Sequence, residues 1–232
     1  MNRHPSPRLA ARLADEARFL RSWIEQPGVV GAVSPSGRQL ARAMAAPVDP
    51  ARPGPVIELG PGTGPVTEAL LARGVAEDRL VLVEFDPGFC ALLAKRFPRA
   101  TVIEGDAYDL AATLAGKLRE PACAVVSSLP LLLRPPAGRQ ALLRDAFALM
   151  APGAPFIQFT YGLKSPLAGM AGSAERSRPV LLNLPPAHVW VYREAAAPPQ
   201  RAPLALMARL KARTRLMRRR LAVAKQVWQA RR

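Results

Sequence analysis

Cysteine and histidine are scarce in this chain, and each occurs twice in 232 residues. Cys90 and Cys123 both lie in apolar segments, and the sequence contains no Cys-x-x-Cys pair and no His/Cys cluster. Disulfide frameworks and zinc sites need such groupings, so neither is expected. We therefore expect two reduced, buried thiols and no bound metal.

Long apolar runs are missing as well. No uninterrupted stretch of about 18 apolar residues exists, which argues against a transmembrane helix. Near the N-terminus, apolar residues are interleaved with Arg, Asp and Glu, unlike the apolar core of a signal peptide. Yet 50% of the residues are apolar, which is enough for a folded domain. The expectation is a cytoplasmic protein with a sizeable core.

Acidic residues disappear toward the C-terminus. Residues 1–200 hold 22 Lys and Arg against 17 Asp and Glu (net +5), whereas residues 201–232 hold 11 Lys and Arg and no acid (net +11). Apolar residues recur at helical spacing from Leu210 to Trp228. A basic amphipathic helix on an anionic membrane is therefore expected at 198–232. Packing on the core, RNA binding and disorder are the alternatives.

A glycine cluster carries most of the chemical information. The apolar run from Val56 to Leu59 is followed by Gly60, Gly62 and Gly64, and a second apolar run ends in Glu84. Glycine tolerates positive φ and has no Cβ, so a ligand can lie against the backbone. The helix that follows offers unpaired N–H groups and the positive end of its dipole. The alternative is a purely structural turn.

Glu58 lies two residues before the first glycine, and the spacing is Gly-x-Gly-x-Gly. This pattern resembles the Rossmann-like, class I methyltransferases that depend on S-adenosylmethionine. The resemblance implies S-adenosylmethionine as cofactor, S-adenosylhomocysteine as product, and a role for Glu84 at the ribose hydroxyls.

A third motif is the segment from Thr101 to Ala107, in which a short apolar strand is followed by acidic residues next to a glycine. In the family, the acid after this glycine accepts from the adenine amino group and the next N–H contacts the ring. A helix cap or a turn is the alternative for Asp106. The implied cofactor-binding residues are Glu58, Gly60, Gly62, Gly64, Glu84, Asp106 and Ala107.

Strand and helix patterns alternate along the middle of the chain. Strands are predicted near 55–59, 80–84, 101–104, 123–127, 155–160 and 188–193, and helices near 64–73, 87–96, 109–117 and 138–151. A further helix should start near Ser36, which forms a capping box with Gln39. We predict an α/β fold at 27–197, with a mainly parallel sheet, helices on both faces and added terminal amphipathic helices. Functional loops should follow the carboxyl ends of the strands.

The loop after the fourth predicted strand reads Ser127-Ser128-Leu129-Pro130-Leu131-Leu132. Methyltransferases that act on nucleobase amines usually place an aromatic residue where Leu131 stands. Without that stacking face a flipped base loses about 1–3 kcal/mol. The loop therefore argues against the rRNA adenine dimethylases, which the glycine motif and the basic charge otherwise resemble.

Across roughly residues 18–195 the chain resembles bacterial phospholipid N-methyltransferases, the peripheral enzymes that methylate phosphatidylethanolamine. The resemblance rests on residues 31–36, 58–64, 128–132 and 158–162. It implies methyl transfer to the ethanolamine nitrogen, repeated toward phosphatidylcholine. Candidate catalytic residues are Tyr161, Ser128 and His188; candidate substrate contacts are Leu129, Leu131, Trp190, Tyr192 and Arg178. Core packing, turn geometry or solvated charge is the alternative at each position.

The expected partners are an anionic membrane surface and its phospholipids, with the protein peripheral on the cytoplasmic face of the inner membrane. Residues 1–26 predict an amphipathic helix of mixed charge, which suits either membrane docking or a lid over the cofactor site. Nucleic acid is not expected as substrate, and the sequence does not indicate an oligomeric state. An RNA base methyltransferase and a regulatory protein that only binds cofactor are the competing functions.

Overall fold

A computed structural model describes residues 35–161, 163–181 and 186–194 of the chain. The helices predicted at 1–26 and 198–232 lie outside these residues. The described helices are α1 (Pro35–Ala45), α2 (Pro65–Ala72), α3 (Pro87–Arg96), α4 (Leu110–Thr113) and α5 (Pro136–Leu149). The strands are β1 (Val56–Leu59), β2 (Leu80–Glu84), β3 (Thr101–Glu104), β4 (Ala124–Ser127), β5 (Phe156–Thr160), β6 (Ser173–Arg176) and β7 (His188–Arg193).

The strands form one seven-stranded sheet in the order β3-β2-β1-β4-β5-β7-β6. The first five strands are parallel to one another, and β7 runs antiparallel to both β5 and β6. The chain moves outward from β1 to β3 and then returns to place β4 on the other side of β1. Such a reversal opens a crevice at the carboxyl ends of the two strands, where ligands bind in sheets of this kind.

Helices cover both faces of the sheet because its strands are apolar on both sides. Alternate residues of β1 and β2 pack on one face against α1, α2 and α3, through residues such as Met44, Leu70 and Leu93. The other residues pack against α4 and α5, through Leu110, Leu142 and Leu143. Parallel strands buried on both faces read as continuous apolar runs, as these do. The predicted fold class is confirmed.

Two elements differ from the sequence expectation. The helix predicted at 109–117 is only α4, preceded by a 3₁₀ turn at Ala107–Asp109; it ends before Gly116, whose φ is +68°. Strand β6 was not predicted, because all four of its residues are exposed and its extended form comes from pairing with β7. In the part of the chain that the structure describes, no helix has the length and apolar character needed to cross a bilayer.

Arg79 lies at the amino-terminal edge of the sheet, opposite the edge where ligands bind, and hydrogen-bonds several chain segments there. Its guanidinium donates to the carbonyl oxygens of Pro50 (2.7 Å), Gly54 (2.8 Å from Nη2) and Arg52, and Nη2 lies 3.4 Å from Cys123 Sγ. These contacts join the segment before β1 to the start of β2 and to the residue before β4. One side chain therefore fixes the entry to three neighbouring strands.

Candidate active site

Two loops meet at the crevice between β1 and β4. The N–H of Gly60 donates to Val83 O (2.9 Å), and the N–H of Ser128 donates to Leu59 O (2.9 Å). A Cβ on Gly60 would lie 3.1 Å from Leu129 Cδ2, so the glycine loop and the loop after β4 are in close contact. The topology therefore places the predicted cofactor loop beside the predicted substrate loop.

All three glycines of the loop have positive φ: +66° at Gly60, +56° at Gly62 and +86° at Gly64. A Cβ on Gly64 would lie 2.6 Å from the ring of Phe97, so this glycine allows close packing of α3. A Cβ on Gly62 would meet nothing within 4 Å, which leaves the backbone there open to a ligand. The loop therefore fits the S-adenosylmethionine predicted from the sequence.

Glu84, at the end of β2, organises this loop. Its Oε2 accepts from the N–H of Gly62 (3.0 Å), and its Oε1 accepts from the N–H groups of Phe85 (2.8 Å) and Asp86 (3.1 Å). A carboxylate has about four acceptor positions, so these three bonds leave capacity for a further donor. The predicted contact with ribose hydroxyls stays a prediction, and the geometry is compatible with it.

Glu58 is fully buried behind the loop. Its Oε2 accepts from the Thr67 hydroxyl (2.7 Å), while Oε1 has no partner among the described residues. Burial raises the pKa of Glu58 to about 8, with the nearby Glu84 carboxylate adding to the rise and the Thr67 hydrogen bond opposing it. An unpaired buried oxygen behind the glycine loop fits a cofactor that carries an amino group.

Asp106 and Ala107 lie where β3 ends. The exposed Asp106 side chain accepts from the N–H of Tyr108 (2.8 Å) and caps the 3₁₀ turn, which is the structural role that the sequence left open. Ala107 is buried beneath it. Their predicted contacts with adenine stay predictions, with both residues at the same sheet edge as Glu84.

Gly62→Ala is expected to lower affinity for S-adenosylmethionine at least tenfold, because the new methyl group projects into the open space over the loop. Gly116→Ala is the matched control, since its φ is also positive and its Cβ would also meet nothing within 4 Å. Each variant should lose about 1 kcal/mol of stability from backbone strain. Calorimetric titration and thermal melts separate the two effects; equal affinities in the two variants would contradict a cofactor on this loop.

Beyond the glycine loop, a cleft opens between the carboxyl ends of β4 and β5. Its walls are Ser128 to Leu133, Gln158 to Tyr161, and Pro166. The two segments that carry the resemblance to phospholipid methyltransferases thus face one another across a mostly apolar space.

Gln158 is one of two buried polar residues in this cleft wall, with Thr160. Its Nε2 donates to Leu129 O (3.0 Å) and Phe159 O (2.9 Å), which uses both amide hydrogens and fixes the orientation of the amide. Its Oε1 is shielded from solvent and has no partner among the described residues. A buried acceptor without a donor costs about 1–3 kcal/mol, so this oxygen is suited to a ligand that brings an N–H group.

Four predicted site residues line this cleft: Ser128, Leu129, Leu131 and Tyr161. The ring of Tyr161 meets that of Phe159 edge to face, with centroids 5.4 Å apart. Phe159 also lines the cleft, so this aromatic pair belongs to its wall, on the face of β5 opposite to that of Gln158. The roles predicted for these residues stay predictions, but the structure does bring them together.

Three predicted substrate contacts are placed differently. Leu131 lines the cleft but is 2% exposed and packs mainly into the core. Trp190 is also buried, and its Nε1 donates to Thr160 Oγ1 (3.0 Å). Tyr192 pairs with Phe156 at the opposite end of β5, is fully buried, and bonds Ser165 through its hydroxyl. Trp190 and Tyr192 support the core rather than reach the cleft, because β7 runs antiparallel and carries Tyr192 away from the site.

His188 and Arg178 lie at the correct edge but outside the cleft walls. His188 pairs with Thr160 at the end of β5, and its buried ring turns toward Ser177 O, 3.4 Å from Nδ1. Arg178 is exposed just after β6. The roles predicted for His188 and Arg178 stay predictions.

Some residues of the site were missed by sequence reasoning. Gln158 could have been found as the polar side chain between the apolar residues Ile157 and Phe159 of β5. Phe85 follows Glu84 and is 76% exposed, so its ring is available beside the loop. Arg134 lies 3.9 Å above the ring of Tyr108 and links the loop after β4 to the turn after β3; no local pattern signals this contact.

Comparison with known proteins agrees with the geometry. A family model described as ribosomal RNA adenine dimethylase matches residues 40–130, which run from α1 to the loop after β4. The chain is 32% identical over 145 residues to an ornithine lipid N-methyltransferase of Singulisphaera acidiphila, covering 61% of this chain and 76% of that protein. It is 41% identical over 92 residues to the ribosomal RNA small subunit methyltransferase A of Synechococcus sp. (strain JA-3-3Ab), covering 38% of this chain and 29% of that protein.

The fold is shared with solved methyltransferases. The 1,6-didemethyltoxoflavin-N1-methyltransferase of Burkholderia thailandensis, whose structure holds S-adenosylhomocysteine, superposes with a TM-score of 0.57 at 17% identity, over 84% of this chain and 93% of that one. Among the described residues, no group of three or more His, Cys, Asp or Glu side chains could hold a metal ion. The chain has the glycine loop, carries Glu58 and Glu84 near the ends of β1 and β2, and is 32% identical to a lipid N-methyltransferase of which it covers 76%. It therefore belongs to the family of S-adenosylmethionine-dependent methyltransferases that includes the ornithine lipid N-methyltransferase of Singulisphaera acidiphila.

Proposed function

We propose that the protein methylates the amine of a membrane lipid, phosphatidylethanolamine first, and that it works at the membrane surface. The observation that carries the proposal is the cleft between β4 and β5, whose lining includes apolar walls, a residue with a buried, unpaired amide oxygen, and an aromatic pair. Apolar walls suit the lipid part of a substrate, and the oxygen suits its amine. A lipid amine joins both features in one small headgroup.

S-adenosylmethionine supplies an electrophilic methyl group on its sulfonium, so the protein mainly has to hold the amine in line with it. In the proposal, Gln158 Oε1 accepts a hydrogen bond from the amine and thereby orients its lone pair. The rings of Phe159 and Tyr161 offer a π face to the positive charge that grows on nitrogen, an effect of about 0.5–2 kcal/mol. Ser128 is a further polar residue that lines the same cleft.

Two other substrates have support from specific observations. The relative from Singulisphaera acidiphila is named for an ornithine lipid, so a lipid with that headgroup is the nearest alternative. The similarity to rRNA methyltransferases favours an adenine amine, but the matching family model ends at residue 130. It therefore omits most of the cleft, and Leu131, where base-methylating enzymes usually carry a stacking ring, is an aliphatic core residue.

The proposal is tested by incubating the protein with methyl-labelled S-adenosylmethionine and one of three substrates. These are vesicles of phosphatidylethanolamine with phosphatidylglycerol, vesicles of ornithine lipid with phosphatidylglycerol, and ribosomal RNA. Label in methylated phosphatidylethanolamine is expected. If label appeared only in the ornithine lipid, the substrate would still be a lipid amine, but with a different headgroup from the one proposed. Label only in RNA would overturn the proposal.

Replacing Gln158 separates its two roles. Gln158→Leu removes the acceptor and both donors. It is expected to lower kcat/KM for the lipid amine roughly 10- to 100-fold, because the lost hydrogen bond is to an amine that becomes positively charged in the transition state. Gln158→Glu keeps an acceptor but loses the bonds to the Leu129 and Phe159 carbonyls. It should retain much more activity than Gln158→Leu in the same assay, with thermal melts as a folding control. Equal losses in both variants would mean that Gln158 only positions the loop.

A further inference from the structure

Large exposed apolar side chains gather at one edge of the sheet. Among the described residues, Leu133 (44% exposed), Leu163 (71%) and Leu181 (72%) follow the carboxyl ends of β4, β5 and β6 respectively. Leu133 is part of the cleft wall, and the carbonyl of Leu163 accepts from Arg176 Nη1 (3.3 Å). We call these three leucines the mouth leucines, because they lie at the edge where the cleft opens.

Charge divides the same edge into two halves. The loops after β4, β5 and β6 (128–135, 161–172 and 177–181) contain Arg134, Lys164 and Arg178 and no acidic residue. The short loops after β2 and β3 contain Asp86, Asp106 and Asp109 instead. The mouth leucines therefore lie among cations, and the acids stand on the side of the glycine loop and Glu84.

We infer that this edge is a docking face for an anionic lipid bilayer, in which the mouth leucines enter the headgroup layer and the surrounding cations meet lipid phosphates. Leucines flanked by Lys and Arg have the composition of surfaces that lie in a membrane interface. The inference rests on the proposed function. A short headgroup reaches the cleft without its acyl chains leaving the bilayer only if the mouth sits at the surface, because moving acyl chains into water is strongly unfavourable.

This face differs from the two terminal segments, 1–26 and 198–232, for which membrane contact was one of the sequence expectations. A tail with 11 basic residues could bind vesicles in any orientation of the domain, so vesicle binding alone does not test the inference. The test has to report whether the mouth leucines themselves leave water.

An environment-sensitive fluorophore on Leu163→Cys provides that test, in the full chain and in a Cys90→Ser background where the remaining thiol, Cys123, is buried. Leu92→Cys is the control, because Leu92 is also an exposed leucine but lies within α3. On vesicles of phosphatidylethanolamine and phosphatidylglycerol we expect a blue shift at 163 and loss of emission when the lipid chains are brominated, with neither change at 92. The anionic lipid should be required.

Three results would overturn the inference: a label at 163 that stays in water on vesicle-bound protein, equal responses at 163 and 92, or a label at 163 already shielded before vesicles are added. The last would mean that another part of this chain covers the face. The outcome is independent of catalysis. A label that enters the bilayer without methylation of any lipid would refute the proposed function alone, and methylated lipid with a label left in water would refute the docking face alone.

Discussion

Glu84→Ala is expected to weaken binding of S-adenosylmethionine by roughly 100-fold or more. The variant removes the acceptor for three backbone N–H groups, on Gly62, Phe85 and Asp86, and with it the clamp between the glycine loop and the end of β2. It also removes the carboxylate predicted to hold the ribose. Hydrogen bonds to a charged group are each worth about 1.5–3 kcal/mol, and each 1.4 kcal/mol is a factor of ten in affinity.

Glu104→Ala is the matched control for this variant. Glu104 is the residue of β3 that pairs with Glu84, and it is exposed at the same edge. Isothermal titration should show a much smaller loss for Glu104→Ala, because the general charge of the edge contributes little in solution with salt. Unchanged affinity in Glu84→Ala would refute the ribose assignment, and equal losses in the two variants would trace the effect to overall charge.

Arg79→Met should be the most destabilising single change outside the hydrophobic core, lowering the free energy of unfolding by about 3 kcal/mol. Methionine keeps much of the length of the side chain but leaves the carbonyls of Pro50, Arg52 and Gly54 without the guanidinium. Gly54 has little freedom to adjust, since its φ is +101° and a Cβ there would lie 2.4 Å from Pro121 O. The expected shift in melting temperature is roughly 6–12 °C.

Arg99→Met provides the comparison. The Arg99 side chain is 73% exposed and forms an ion pair with Glu77 at 3.6 Å, a type of contact worth about 0–1 kcal/mol. The melting temperature of the Arg99→Met variant should barely change. Arg79→Met should still bind S-adenosylmethionine well below its melting temperature, because Arg79 lies at the edge of the sheet opposite the glycine loop. Similar melting temperatures for the two variants would contradict the role given to Arg79.

The cofactor half of the site could be predicted from sequence because its signals are local. A buried parallel strand reads as an apolar run, a loop with positive φ reads as glycine, and an acid at a strand end reads as one residue next to that run. Glu58, Gly62 and Glu84 therefore need no knowledge of distant contacts. Strand β6 shows the opposite case, since nothing in Ser173–Arg176 indicates a strand until β7 lies beside it.

The substrate half depends on strand register, which local sequence does not reveal. Trp190 and Tyr192 were selected as aromatic residues of the last predicted strand, because an aromatic ring stabilises the positive charge that builds on the nitrogen. The register that pairs Phe156 with Tyr192 sends them into the core. Gln158 was given no role of its own because its importance depends on a distant contact. The carbonyl of Leu129, 29 residues away in sequence, accepts one amide hydrogen and Phe159 O accepts the other, while the amide oxygen stays unpaired.

The split of the carboxyl edge into an acidic half and a cationic half has a consequence for successive turnovers. An anionic bilayer attracts the half over β4 to β6 and repels the half with Asp86 and Asp106. A protein seated in this way keeps its cofactor loop toward water, so spent cofactor can exchange while the lipid stays in the cleft. Several methyl groups could then reach one headgroup in a single visit to the membrane. To test this, excess unlabelled vesicles are added during the reaction. Repeated methylation in one visit predicts that the lipids of the first vesicles continue to gain methyl groups after the addition.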